Sequence, residues 1–278
     1  MMAPQRILVI RLDRIGDVVL STPVLQHLRQ AYPSAFLAMM VRPGCRDVVE
    51  GHPALNEVIL YDKDGRHKSL AGTMRFAREL RRFRFDTALV LHPSNRSHWI
   101  PWLAGIPVRI GYHRKCGWLL THRLPHRKQE GHRHEAEYTA EMLRVLGLEP
   151  PHVLIPHVPI RPDAQARIAR LCQELGVDGA ARVVALHPSA SDASKRWPSE
   201  RFAQLADRLM ESCGVRVVLV AGPADAPHAH AVEQAMRHRP LNVAGALSVG
   251  ELAALLSRCV LLVSNDSGPV HIAAAVGT

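Results

Sequence analysis

Short, β-branched apolar runs alternate with longer amphipathic stretches along the whole chain. That alternation limits what the chain can fold into. The runs are RILVIR (6–11), FLAMMV (36–41), EVILY (57–61) and DTALVLH (86–92), then RVVALH (182–187), VRVVLVAG (215–222), LNVAG (241–245) and CVLLVS (259–264). Helical patterns fill 17–31, 69–84 and 132–147 in the first set, and 163–176, 198–213, 226–238, 248–257 and 267–276 in the second. Strands that are apolar on both faces and separated by helices belong in parallel sheets covered on each side. Between the two sets lies LEPPHVLIPHVPIRP (148–162), with five prolines. Proline removes a donor and disfavours helix, so this stretch reads as an extended linker. The expected architecture is α/β: a Rossmann-like domain over 1–155 and a second over 156–278, their parallel sheets facing each other across a cleft.

Composition bounds the partners. An apolar fraction of 47% and a charged fraction of 22% are ordinary for a soluble globular protein. The opening MMAPQRILVIRLDRIGD has a four-residue apolar run before charge resumes, too short for a signal peptide core. No segment approaches the roughly 20 apolar residues of a spanning helix. The five cysteines are scattered without a C-x-x-C pair, which fits a reducing compartment and argues against a disulfide framework or zinc site. Charge is uneven. Residues 1–160 carry 23 Lys/Arg against 14 Asp/Glu, and residues 161–278 carry 12 against 11. The first half is therefore expected to face something anionic. Its densest piece, RIGYHRKCGWLLTHRLPHRKQEGHRH (109–134), offers Arg114, Lys115, Arg123, Arg127 and Lys128 as candidate contacts. Nucleic acid is disfavoured, because aromatics are 5% and no binding motif of that kind is present. The DKD at 62–64 reads as a turn before Gly65, and the HRH at 132–134 splits its histidines onto different faces. No metal site is expected.

In open α/β sheets, ligands bind beyond the carboxyl ends of the strands, so the residues there carry the chemistry. After the first strand, Gly16 lets the backbone turn and Asp17 opens a helix. Asp17 reads either as an N-cap, with its basicity lowered by the helix dipole, or as a general base. Asp13 is a weaker competitor, better suited to a salt bridge. After 182–187, the loop HPSASDASKRWPSE places hydroxyls and Lys195 before a helix, which suits a phosphate and equally an ordinary capped loop with a solvated lysine. Asp225 follows 215–222, where it reads first as a turn residue and otherwise as a carboxylate that can accept from ribose hydroxyls or an exocyclic amine. In SNDSGPVHIAAAVGT (264–278), Asp266 ends a strand, Ser267 can cap, Gly268 leaves room, and His271 lies one turn in. The N–H groups of Ser267 and Gly268, the helix dipole and His271 together suit a diphosphate.

ILVIRLDRIGDVVLSTPVLQHLRQAYPSA, KRWPSERFAQLADRL and NDSGPVHIAAAVGT resemble, in order, three signatures of glycosyltransferase family 9, the lipopolysaccharide heptosyltransferases. The resemblance runs from Arg6 to the last residue. It implies a GT-B fold and an inverting transfer of L-glycero-D-manno-heptose from ADP-heptose to the inner core (Kdo or heptose) of lipid A-linked acceptor. It implies Asp17 as the catalytic base. It implies Ser191, Lys195, Asp225, Leu247, Asp266, Ser267, Gly268 and His271 as the donor site. Ala190 and Asp225 depart from residues that some members carry. No cofactor or metal is required, and a cytoplasmic monomer, peripheral to the inner face of the membrane, is expected. A sugar-nucleotide epimerase, or the same family with another nucleotide sugar or acceptor, stays open as an alternative. Family members continue past AAAVGT, so the second domain is expected to be truncated, with the strand before Asp266 at an exposed edge.

Overall fold

The computed structural model describes residues 3–177 and 181–278. The chain divides into two compact units, the first running to His157 and the second from Val158 to Thr278.

Among the described residues, the first unit builds one six-stranded parallel sheet. Its strands are β1 (Arg6–Ile10), β2 (Phe36–Val41), β3 (Glu57–Leu60), β4 (Thr87–Val90), β5 (Val108–Tyr112) and β6 (His122–Leu124). They lie side by side in the order β3-β2-β1-β4-β5-β6, a doubly wound arrangement. Its helices are α1 (Ile15–Val19), α2 (Thr22–Ala31), α3 (Arg46–Val49), α4 (Leu70–Leu80), α5 (Asn95–Leu103) and α6 (Glu135–Glu141). β1 is the centre of the sheet: Ile7, Leu8, Val9 and Ile10 are fully buried, and Val9 pairs with Met39 on one side and Leu89 on the other. On one face Leu8, Ile10, Met40 and Val90 pack against Phe76, Leu80 and Ile100 of α4 and α5. The run of apolar side chains in β1 therefore fixes where its last residues, and Arg11 after them, emerge.

Two local features differ from the sequence expectation. Residues 109–134, a basic stretch in the sequence, contain all but the first residue of β5 and the whole of β6. β6 is a three-residue edge strand with a charged residue at its centre, a pattern that blunts sheet edges and hides the strand from an apolar-run reading. The helix expected over 17–31 is two helices. Pro23 at the second position of α2 has no N–H to continue a ladder from α1. The hydroxyls of Ser21 and Thr22 donate to the carbonyls of Asp17 and Val19, each at 2.7 Å. Asp17 thus sits in a single short turn pinned from its C-terminal side.

The second unit carries β7 (Val183–His187), β8 (Arg216–Leu219), β9 (Leu241–Asn242) and β10 (Leu261–Ser264), paired in parallel in the order β10-β7-β8-β9. Its helices are α7 (Pro162–Glu174), α8 (Ser199–Cys213), α9 (Ala226–Ala235), α10 (Val249–Leu256) and α11 (Gly268–Val276). Val184, Leu186, Val217 and Leu219 form its core with Phe202, Ala206, Ala229 and Val232. β10 lies at the sheet edge beside β7, and Leu261 in it is 44% exposed. No helix among the described residues is long and apolar enough to cross a membrane.

Candidate active site

The end of β1 delivers Arg11 into the interior, where it is 2% exposed. An isolated buried guanidinium would be costly, and three carboxylates compensate it. Arg11 Nε donates to Asp13 Oδ1 at 2.8 Å, while Nη2 meets Asp17 Oδ1 at 2.9 Å and Glu135 Oε1 at 3.0 Å. Burial works against the Arg11 charge, but the three carboxylates outweigh it and raise its pKa. Asp13 is also gripped from β4's end, where His92 Nδ1 lies 2.9 Å from its Oδ2. Burial opposes ionisation of Asp13, yet the bonds to His92 and Arg11 hold its pKa below the ordinary value. Asp13 is therefore a fixed anion, in keeping with the salt-bridged reading.

Asp17 behaves differently. It lies inside α1, whose N-cap is Arg14, so it is not the helix cap. Its pKa is raised, first by burial and then by the neighbouring charges of Asp13 and Glu135, with Arg11 pulling the other way. The lowering expected of a helix end is outweighed: α1 is one short turn, and burial first, then the anions beside Asp17, raise the pKa. The side chain keeps a third of its surface exposed. Asp17 is thus a carboxylate that can take up a proton and that solvent or substrate can reach.

Of the basic candidates, Lys128 is drawn inward. Its ammonium donates to Glu135 and lies 5.2 Å from the centre of the Tyr112 ring. Burial first, then Arg11, lowers its pKa, with Glu135 opposing. Arg123 donates to the backbone carbonyls of Trp118 (3.0 Å) and Leu120 (3.3 Å), fixing the turn between β5 and β6. Arg114, Lys115 and Arg127 are exposed on the loops around it.

In the second unit, two loops meet at the carboxyl ends of β7 and β10. Asn265 fastens them together: its Nδ2 donates to Pro188 O (2.9 Å) and its Oδ1 accepts from Trp197 N (3.0 Å). This staple brings Lys195, which donates to Asp266, to the mouth of the α11 helix. The contact with Lys195 and the nearby His271 keep the exposed Asp266 carboxyl below its ordinary pKa. Ser191 is exposed just before Asp192, whose carboxylate accepts from Ser194 N and Oγ, both at 2.9 Å. Ser267 occupies the N-cap position of α11, and Gly268 is its first residue. The Ser267 hydroxyl makes no cap bond; it meets His187 Nδ1 at 3.1 Å instead. The expected capping role therefore goes unfilled, because the buried His187 ring offers a nearer partner, and its other nitrogen meets Ser189 at 3.1 Å. Burial lowers the His187 pKa against the pull of the Asp225 carboxylate. Asp225 ends a short turn before α9, and Leu247 precedes the α10 cap Ser248; both are half-buried. Among the described residues, no group of three or more His, Cys, Asp or Glu side chains is arranged to hold a metal ion.

The sequence reading missed Arg11, Glu135, His92, His187 and Asn265 as members of these clusters. Arg11 and His187 were read as strand ends, and Glu135 is distant in sequence. All but Glu135, which opens α6, share one signal of position: a polar residue at or just past the end of an apolar strand, beyond which ligands bind.

The family model for glycosyltransferase family 9 (heptosyltransferase) matches residues 73–278. The chain is 28% identical over 279 aligned residues to lipooligosaccharide heptosyltransferase 2 of Haemophilus influenzae, covering 97% of this chain and 80% of that protein. The crystal structure of a family 9 glycosyl transferase from Veillonella parvula superposes with a TM-score of 0.91 at 30% identity, over 99% of this chain and 79% of that one. The ADP-heptose lipopolysaccharide heptosyltransferase II of E. coli superposes with a TM-score of 0.81 at 26% identity, over 98% and 82%. The α/β architecture, with its parallel sheets, is of the GT-B type these proteins share. With three quarters of its length matched by the family model and relatives of the same family covering nearly all of it, the chain belongs to glycosyltransferase family 9, the heptosyltransferases, and is a glycosyltransferase.

Proposed function

We propose that the protein transfers L-glycero-D-manno-heptose from ADP-heptose to Kdo or heptose in the inner core of lipopolysaccharide, with inversion at the anomeric carbon. The observation that carries this reading is Asp17: a reachable carboxylate with a raised pKa at the end of the central strand. The relatives are lipopolysaccharide heptosyltransferases by name, and one is named for ADP-heptose, which supports the sugar and its carrier.

The second unit holds the donor. Lys195, His271 and the N-terminal N–H groups of α11 face the diphosphate, and Asp225 and Leu247 flank the nucleoside. The first unit supplies the base. The acceptor hydroxyl attacks the anomeric carbon, the bond to the diphosphate oxygen breaks, and Asp17 takes the hydroxyl proton. Charge on the departing ADP is offset by Lys195 and the helix end, so the reading requires no metal or cofactor. Arg114, Lys115, Arg123 and Arg127 draw in the anionic, lipid A-linked acceptor at the cytoplasmic face of the inner membrane, an attraction that weakens with salt.

The test is turnover of ADP-heptose with Kdo-lipid A and, separately, with heptosyl-Kdo-lipid A. Product with either acceptor supports the reading and names the step. ADP-heptose left unconsumed with both, by protein that binds it, overturns it.

A further inference from the structure

One nitrogen of Arg11 serves two carboxylates. Nη2 meets Asp17 Oδ1 at 2.9 Å and Glu135 Oε1 at 3.0 Å, and the same Glu135 oxygen accepts from Lys128. Two further bonds hold the group in place, Nε to Asp13 Oδ1 at 2.8 Å and Nη1 to Leu91 O at 3.4 Å. Buried, and held through Nε, Nη1 and Nη2, the guanidinium has little room to swing toward one partner. Nη2 has an N–H for each carboxylate, so what Asp17 and Glu135 share is the single positive charge of Arg11, and Lys128 supplies part of the compensation Glu135 would otherwise draw from it.

We propose that Glu135 is a positioning residue for the transfer: by sharing Arg11 Nη2 it keeps Asp17 aimed but incompletely neutralised, and Lys128 sets the balance by sharing the Glu135 oxygen. The proposal rests on Asp17 being the base. A carboxylate that owns a buried guanidinium outright is stabilised as the anion and is a poor proton acceptor; a second anion on the same guanidinium restores its basicity. The groups facing Asp17 are Arg11 just after β1, Asp13 from the loop that follows, Glu135 from α6, Lys128 from the turn before α6, and the Cys45 thiol, which burial pushes up to about 11 so that it stays neutral. Asp13 is held in turn by His92.

Glu135 is not needed to start its own helix. α6 is capped by His134, whose Nδ1 accepts from Ala136 N, and by Glu137, which accepts from His134 N at 2.7 Å. Thr139 bonds the backbone carbonyl of Glu135, which a side-chain change leaves in place. The Glu135 side chain instead meets Arg11 and Lys128.

The test compares wild type, Glu135→Gln, Lys128→Met and Asp17→Asn. The pH dependence of kcat/KM is measured with ADP-heptose and the lipid acceptor, and the Asp17 carboxyl of the free protein is titrated by 13C NMR. Glu135→Gln is expected to move both the acid limb and the carboxyl titration to lower pH by roughly half to one unit, and Lys128→Met to higher pH by a similar amount. A loosened fold does not shift one group in opposite directions through two neighbours. If the two variants fail to move Asp17 in these opposite senses while Asp17→Asn abolishes transfer, the proposal is overturned and the base assignment stands. If Asp17→Asn transfers normally, the base assignment fails and takes the proposal with it.

Discussion

The hydroxyl of Ser267 meets Nδ1 of His187 at 3.1 Å, so it faces the buried end of β7 instead of the helix it precedes. Any part Ser267 plays in holding a diphosphate then falls to its backbone N–H. Ser267→Ala should leave ADP-heptose affinity within about fivefold of wild type, a change of roughly 1 kcal/mol or less. The Ser264 hydroxyl, 3.2 Å from the same ring nitrogen, can keep His187 in place. Isothermal titration with ADP-heptose measures this; a hundredfold loss would mean that the hydroxyl itself turns to the ligand.

How much of this was legible in the sequence follows from what each signal depends on. β1, β2 and β7 are apolar on both faces, so composition alone marked them. β5 and β6 mix Arg, His and Gly into short strands near a sheet edge, so neither presents a continuous apolar run. At the strand ends, Asp17, Lys195 and Asp266 were visible because each sits in a Gly- or Ser-rich turn next to an apolar run. Arg11 and Glu135 were not, since their contact spans 124 positions and depends on how β6 and the following turn return the chain to β1. The raised pKa of Asp17 was hidden for the same reason: it comes from burial and from those distant neighbours, whereas the turn itself argued the reverse.

Lys195 and Asp266 test the donor side separately. Both are exposed and paired with each other, and an exposed pair adds little to stability, so either can be changed without unfolding the unit. Lys195→Ala should weaken ADP-heptose and ADP alike, by about tenfold or more, because a charge-assisted bond to phosphate is lost. Asp266→Asn should weaken ADP-heptose and spare ADP, if the carboxylate accepts from the sugar hydroxyls. Competition binding with both ligands separates the two; equal affinity of Lys195→Ala and wild type for ADP would remove Lys195 from the phosphate site.

Acid should loosen the first unit before the carboxylates titrate. His52 and His98 are buried, 2% and 0% exposed, and burial lowers the pKa of each to about 4. Unfolded histidine titrates near 6.5. Between those values the unfolded chain binds more protons, so stability is full above about pH 6.5, falls as pH drops, and levels off below about 4. Each histidine contributes at most about 1.4 kcal/mol per pH unit to that slope. The ring nitrogens of His98 have no partner among the described residues, so His98→Leu should flatten the profile and leave stability at pH 8 equal or higher. Urea unfolding from pH 8 to 4 checks this; a variant slope as steep as wild type would count against His98.

Asp17→Asn keeps the size of the side chain and removes its ability to accept a proton. Donor binding depends on residues of the second unit and should be unchanged, while transfer should fall by about a hundredfold to ten-thousandfold, the usual range for losing a general base. The wild-type enzyme should lose kcat/KM on the acid side as Asp17 becomes protonated. Because burial and the charges of Asp13 and Glu135 raise its pKa above the ordinary 3.8, that limb should lie above 3.8. In Asp17→Asn the limb should vanish from whatever rate remains. Steady-state kinetics across pH, with ADP-heptose binding measured beside them, read all three effects. A variant that transfers at the wild-type rate, or that keeps the wild-type limb, would assign the proton to another group.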